Sequence, residues 1–354
     1  MSSERAFRDV TAEEYRWHTE LKGDAATIVE LLWIDGQFDN GWQIGIGLLR
    51  ARPLAGGNPA ITIKLMAPDG KVTEVNRTFR PDEFHDEGGL SARWGSENSV
   101  IGRMDESGRL AGYSLRLAVE DIRVVLDAET VCSGVKFVAR SPGYTVHEPE
   151  TQLAVGWWPL VPRATCRATI THGGAPMEVQ GLIYLERQVS SFPLGGHEGE
   201  KTAQSIWTWG HVFAGDYTIG WTDSGASEDF GYRHFTPFFV WKGAEPFFWT
   251  FAFASYVERF AVNPDNGLAY PAVVTLKAAM PDIDMFVRLE NGRSSEHCVF
   301  NNKPGSLYSR QVCDAQVQFR RWGRSHRAAG HAVFEWGTSA GNFPFAEAGA
   351  VADG

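Results

Sequence analysis

The cadence of apolar runs constrains this chain more than any other feature. Ile61–Met66, Leu110–Leu117, Ile122–Leu126, Gly134–Ala139, Ala168–Ile170 and Ile183–Leu185 are short and rich in β-branched or aromatic residues. Tyr217–Thr222, Phe235–Trp241, Phe247–Tyr256, Ala272–Ala278, Met285–Leu289, Gln316–Arg320 and Ala332–Trp336 continue the pattern. Many of these runs have Gly, Pro, Asp or Asn at or near an end, as strands do. Gly56-Gly57, Asp69-Gly70, Pro142-Gly143 and Gly173-Gly174 fall between runs at hairpin-like intervals. Helical spacing is confined to Ala12–Trp17, with a turn near Asp82–His85. Many short strands with evenly spaced turns predict an all-β chain of antiparallel barrels or sandwiches.

The chain has 354 residues, a length that predicts about two domains. Ser190–Thr202, rich in Gly and polar residues, reads as the junction. The expected organisation is an N-terminal extension (1–19), a first β domain (20–190), a linker (191–202), a second β domain (203–345) and a tail (346–354). Two internal echoes support a tandem. Trp33-x-Asp35 matches Trp221-x-Asp223, and Gly181-x4-Glu186 matches Gly330-x4-Glu335.

Lys and Arg total 33 against 43 Asp and Glu, a net charge of −10. That balance argues against nucleic acid and anionic membrane surfaces as partners, since both need basic protein surface. No apolar stretch reaches the ~18 residues of a spanning helix, and the charged N-terminus has no apolar leader core. A cytoplasmic protein without membrane insertion is expected, its four cysteines reduced in the absence of a CxxC pair. The ten histidines lack metal-ligand spacing, so no metal is expected. Nucleophile elbows, P-loops and HExxH are missing, and Gly45-x-Gly47 lacks a third glycine. A dinucleotide cofactor is not expected on these grounds. Aromatic residues make up 12% of the chain and charged residues only 21%, which points to an apolar small molecule as the partner.

Carboxylates embedded in aromatics are the remaining chemistry. Trp207, Trp209 and His211 precede Tyr217, Trp221 and Asp223. If one strand spans 216–223, Tyr217, Ile219, Trp221 and Asp223 share a face. A carboxyl group walled by rings is desolvated and suits general-acid work. In the plainer reading Tyr217 and Trp221 are core, and Asp223 opens a turn with Ser224-Gly225. Glu186-Arg187 reads either as an acid–cation pair in a pocket or as a rim salt bridge at a strand end. His211 reads as a second proton handler or as a structural histidine. Phe235–Trp241, which includes Phe239, is apolar on both faces, as a strand between a core and a hydrophobic cavity or domain interface would be.

These residues resemble the carotenoid-hydratase/AttH-like superfamily. Trp207-Thr208-Trp209-Gly210-His211, Gly215-Asp216-Tyr217-Thr218-Ile219, Trp221-x-Asp223 and Gly330-x-Ala332-x-x-Glu335 carry the likeness. Gly181-x-x-Tyr184-x-Glu186, Trp33-x-Asp35 and Trp94-Gly95-x-x-Asn98 extend it over about residues 20 to 340. The resemblance implies two lipocalin-like β domains in tandem, with a hydrophobic pocket within or between them, and chemistry without a cofactor. It places the acid roles on Asp223 and Glu186; taken with the reading of the residues, catalytic roles are expected of Asp223, Glu186, Arg187 and Tyr217, and substrate contacts of Trp221, Trp207, Trp209, His211, Trp33 and Phe239. Where the hydratases carry Asp-His-Asn-Trp, this chain has Glu186-Arg187-Gln188-Val189. An arginine does not shuttle protons, so Arg187 is expected to anchor a carbonyl or carboxylate. The expected activity is cyclisation, [4+2] cycloaddition of the Diels–Alderase kind, or isomerisation of a polyketide or isoprenoid polyene. Acid-catalysed hydration or dehydration of an isoprenoid is the alternative, and a non-catalytic carrier of lipids or hydrophobic metabolites is the second. Monomer and homodimer both remain open.

Overall fold

The computed structural model describes residues 7–18, 29–52, 57–137, 145–148, 153–190, 206–225, 234–299 and 306–338. The chain divides into two compact units, Met1–Pro193 and Leu194–Gly354. The expected linker (191–202), the tail (346–354) and the Pro142-Gly143 turn lie outside the described residues.

The first unit begins β1 (Phe7–Asp9), α1 (Ala12–Tyr15), β2 (Val29–Phe38), β3 (Gln43–Arg52), β4 (Asn58–Met66) and β5 (Val72–Thr78). After a 3₁₀ turn at Pro81–Glu83 come β6 (Phe84–Gly88), β7 (Ser91–Trp94), β8 (Asn98–Met104), β9 (Leu110–Val119) and β10 (Ile122–Cys132). It ends with β11 (Val135–Phe137), β12 (Thr145–Glu148), β13 (Leu153–His172) and β14 (Ala175–Ser190). The second unit runs β15 (Ile206–Ala214), β16 (Tyr217–Gly225), β17 (His234–Phe235), β18 (Phe238–Lys242) and β19 (Glu245–Thr250). It continues through β20 (Phe253–Val262), β21 (Ala269–Met280), β22 (Ile283–Val299), β23 (Leu307–Arg321) and β24 (Arg324–Thr338).

The protein is all-β and lipocalin-like. The main sheet of the first unit is ordered β5-β4-β3-β2-β14-β13-β10-β9-β8-β7-β6, and that of the second β19-β18-β16-β15-β24-β23-β22-β21-β20. In both, the long first strand pairs with the last, so meanders run outward on either side of the same seam. Alternation sorts the side chains. Leu32, Ile34, Ile46, Leu48, Leu115, Val124 and Ile183 build the first core, while Trp33, Asp35, Tyr184 and Glu186 take the opposite face. Val212, Ile219, Trp221, Phe238, Val240, Val287 and Phe334 build the second core. Residues 1–19, expected as an extension, instead supply Val10, Tyr15 and Trp17 to the first core. Trp17, Phe84 and Trp94 meet edge to face, each pair 5.4 Å apart.

Several expected runs are parts of longer strands. Ala168–Ile170 belongs to the twenty-residue β13, where Pro159 and Pro162 fall within two register shifts. Proline has no N–H for the ladder, so strands carry it at bulges. Phe235–Trp241 is broken by Pro237, and Phe247–Tyr256 is broken between Thr250 and Phe253. Cys132, Cys166 and Cys313 are free buried thiols, pushed up to about 12 by burial.

Candidate functional site

The sequence-predicted site residues fall into four places. Tyr217, Trp221 and Asp223 do share the face of β16 that carries the core residue Ile219. Six residues of strand separate Tyr217 from Asp223 by about 20 Å, so one reacting centre cannot touch both. Tyr217 packs edge to face on Phe247 and Phe319. Trp221 is fully buried and stacks on Phe334. A Cβ at Gly210 would come within 2.6 Å of its indole. Asp223 Oδ2 accepts from Ser255 Oγ at 2.9 Å, and His234 Nδ1 lies 3.4 Å from Oδ1.

Trp207, Trp209 and His211 lie on the other face of β15, in register with that face of β16 and β24. Phe239 joins them from β18, opposite Gly220, and all four are buried. Glu335 lies directly opposite Trp209 on β24. Its carboxylate pairs with Arg310 of β23, whose guanidinium sits 5.5 Å above the Trp209 ring. Tyr308 also hydrogen-bonds Glu335; burial first, then the Glu335 and Glu296 charges, hold its phenol well above the ordinary range.

The first unit repeats that arrangement. Trp33 lies opposite Glu186 across β2 and β14, on the face away from the core. Trp157 of β13 is opposite Gln188, as Tyr308 is opposite Gly337, and each donates to the glutamate two residues back. Glu186 Oε2 accepts Trp157 Nε1 at 2.6 Å and the Tyr184 hydroxyl at 2.8 Å; Gln188 reaches Oε1 at 3.3 Å. The carboxylate is 1% exposed. Tyr184 stays protonated, because burial and the nearby Glu186 and Asp35 charges raise its phenol well above the usual value. Trp33 donates to Asp35 at 2.9 Å, and its indole lies over Gly45 and Gly47, where a Cβ would come within 3.0 and 3.2 Å. That contact accounts for the paired glycines.

Arg187, the next residue after Glu186, points into the first core. It donates to Glu30 Oε1 at 2.8 Å and to the Tyr15 carbonyl at 2.9 Å, and it stacks over Trp17. Glu186 and Arg187 are therefore neither a pair nor a rim salt bridge. Neighbours on a strand face opposite ways. Nor do they end a strand, since β14 runs on to Ser190. Among the described residues, no group of three His, Cys, Asp or Glu is placed to hold a metal ion, and no helix is long and apolar enough to cross a membrane.

No protein-family model and no curated protein matches this sequence. Solved structures do. A protein of Nitrosomonas europaea assigned as an AttH superposes with a TM-score of 0.61 at 13% identity, over 93% of this chain and 96% of its own. CghA superposes at 0.57 with 10% identity, over 96% and 99% of the two chains. Kievitone hydratase from Nectria haematococca gives 0.56 at 10%, over 95% and 97%. The chain has the AttH-like fold.

Within that AttH-like fold, the sequence points to Glu186 and to Trp33 opposite it, but not to the other groups around the carboxylate. Tyr184 and Asp35 stood in quoted motifs without a role, while Trp157, Arg310 and Tyr308 were passed over. Period-two spacing from Glu186 points to Tyr184 and Gln188; Trp157 reaches it only through the β13–β14 register. The repeat of Gly-x4-Glu was the available signal for Glu335. The other echo misleads, because Trp33-x-Asp35 lies on β2 and faces away from its core, whereas Trp221-x-Asp223 lies on β16 and faces inward.

Proposed function

We propose that this chain is a cofactor-independent enzyme that binds an apolar polyene, a polyketide or isoprenoid intermediate, and cyclises or isomerises it. Glu186 is its central polar group. The observation that carries this reading is a carboxylate buried among Trp157, Tyr184 and Trp33, with two hydrogen bonds on one oxygen. Such a group is held in one orientation, and a carboxyl bonded to a phenol is a pair through which a proton can move. Aromatic walls suit a conjugated substrate, and fixing its reacting carbons in a near-attack shape can supply about 7–11 kcal/mol of the barrier. The folds it resembles include a hydratase, and the superfamily likeness extends to Diels–Alderases. Arg187 has no substrate contact in this reading; it works inside the first core. Asp223, bonded to Ser255, is assigned a secondary polar role.

A second reading, hydration or dehydration of an isoprenoid, is favoured by the same carboxylate, which would take up the substrate proton in dehydration and return it in hydration. The two separate by experiment. Mass spectrometry of the small molecule that co-purifies identifies the substrate class, and turnover is then compared between the wild type, Glu186→Gln, Tyr184→Phe and Asp223→Asn. Loss of roughly 10²–10⁴ in kcat for Glu186→Gln, with the β-sheet circular dichroism intact, is expected if proton transfer is part of the reaction. Full turnover in all three variants leaves a template that works by shape alone. Ligand retention with no conversion makes the chain a carrier and overturns the enzyme reading.

A further inference from the structure

The β23–β24 hairpin departs from the acidic character of the rest of the chain. Its turn is Trp322-Gly323, with φ of 47° and 76°. Both central residues lie in the left-handed region, the type I′ geometry that favours Asn-Gly and strains a bulky side chain. Trp322 is nonetheless there, and it is 77% exposed, the most exposed large apolar residue among those described. Strain retained at a solvent-facing tryptophan is a sign of use rather than of folding.

Charge gathers around it. Arg320, Arg321, Arg324 and Arg327 flank the turn, and no acid occurs between Phe319 and Arg327, in a chain whose net charge is −10. Arg321 pairs with Asp282 at 3.1 Å and sits 4.3 Å from the centre of the Trp322 ring. Arg320, Arg324 and Arg327 are exposed, and none forms an ion pair with a described residue. Asp284, opposite Arg320, is the other acid at this end of the β22–β23 ladder. The patch continues across the sheet. Phe286, 41% exposed, is in register with Lys277 on one side and, through Gln318, with Arg327 on the other.

From this we infer that the β23–β24 hairpin docks the protein on an anionic lipid surface, with Trp322 at headgroup depth and Arg320, Arg324 and Arg327 on lipid phosphates. Indole rings favour the interface, where one edge is apolar and the other wet. Surface charges more than about 8 Å away are screened at physiological salt, so the distant acidic surface does not cancel a local basic tip. A projecting turn with one aromatic at its apex suits a planar surface. A nucleic-acid strand would need a basic track with several stacking rings. The docking needs no spanning segment. It would bring the protein to the phase in which an apolar small molecule collects, although it stands independently of the reaction proposed above.

The test is sedimentation of the full chain with phosphatidylcholine vesicles, with and without phosphatidylglycerol, at physiological and at high salt. Binding is expected only with phosphatidylglycerol and at physiological salt, where the distant acids are screened but contacts at the tip are not. It should weaken about fivefold for each of Arg320→Gln, Arg324→Gln and Arg327→Gln. Trp322→Asn is the decisive variant, because asparagine suits the turn and should leave the fold as stable or more so. Its melting temperature should hold or rise while its vesicle binding falls. Trp322→Asn binding vesicles like the wild type overturns the inference, as does a wild type that ignores phosphatidylglycerol. So does a Trp322-dependent affinity for a single-stranded oligonucleotide, or a Trp322-dependent dimer, without vesicle binding.

Discussion

Arg187 and Glu186 are neighbours in the chain with separate environments, and the difference sets what each can do. Arg187 is sealed in the first core, where burial lowers its guanidinium to about 10 against the pull of Glu30. Burial alone would raise Glu30, but the His18 hydrogen bond and the Arg187 and Arg50 charges bring it down to about 2. Removing one partner of such a cluster leaves charge buried without compensation. Arg187→Met should therefore cost about 3–5 kcal/mol in urea unfolding, far more than a rim arginine would. From the sequence alone Arg187 reads as an anchor for substrate, because nothing there marks its partner. Glu30 lies 157 residues away and meets it only through the pairing of β2 with β14. Glu186 reads from the sequence either as a pocket acid or as a rim one, and what decides between them is partly on its own strand, Tyr184 and Gln188, and partly across the β13–β14 register, Trp157.

At the scale of elements, the Gly-x4-Glu repeat has a steric cause. Gly181 is opposite Phe38 where β14 meets β2, and a Cβ there would lie 2.0 Å from the Gln37 carbonyl oxygen. Gly330 occupies the matching place where β24 meets β15, and its Cβ would lie 1.8 Å from the Phe213 carbonyl oxygen. Backbone has to give way to any side chain at either site. Gly181→Ala and Gly330→Ala should each cost about 1–3 kcal/mol, the range for overpacking, measured by denaturant midpoint. Gly70→Ala offers a control: it sits at a turn with no atom within 4 Å of the added carbon, and its cost comes from positive φ alone. The repeat was legible as letters, and its reason was not, since backbone approach between the first and last strands of a unit leaves no mark of its own in sequence. Strand lengths were underestimated for a related reason. Pro159 and Pro162 look like strand ends, yet β13 accommodates them at register shifts and runs on.

The whole molecule carries two cores, each formed within its own unit, the level at which the sequence reads best, because length predicts about two domains and the internal echoes support a tandem. Two cores allow two unfolding transitions. Ile34 and Ile219 are fully buried, one in each core, so Ile34→Val and Ile219→Val, at about 1 kcal/mol each, should label the transitions by lowering one apiece in calorimetry. Acid then distinguishes them. Glu14 and Glu30 both belong to the first unit, and both titrate at about 2 when folded, below the ordinary value near 4.3 of an unfolded glutamate. A depressed carboxyl stabilises the fold above its unfolded pKa, and that stability is lost as pH falls towards the folded one. Between pH 5 and pH 2 the transition that responds to Ile34→Val should therefore fall the faster of the two. Glu30→Gln, which removes one of the two titrating groups, should lower that transition at pH 7 and flatten its descent in acid. If both transitions fall in parallel in the wild type and in Glu30→Gln alike, the buried carboxylates of the first unit are not what governs its acid stability.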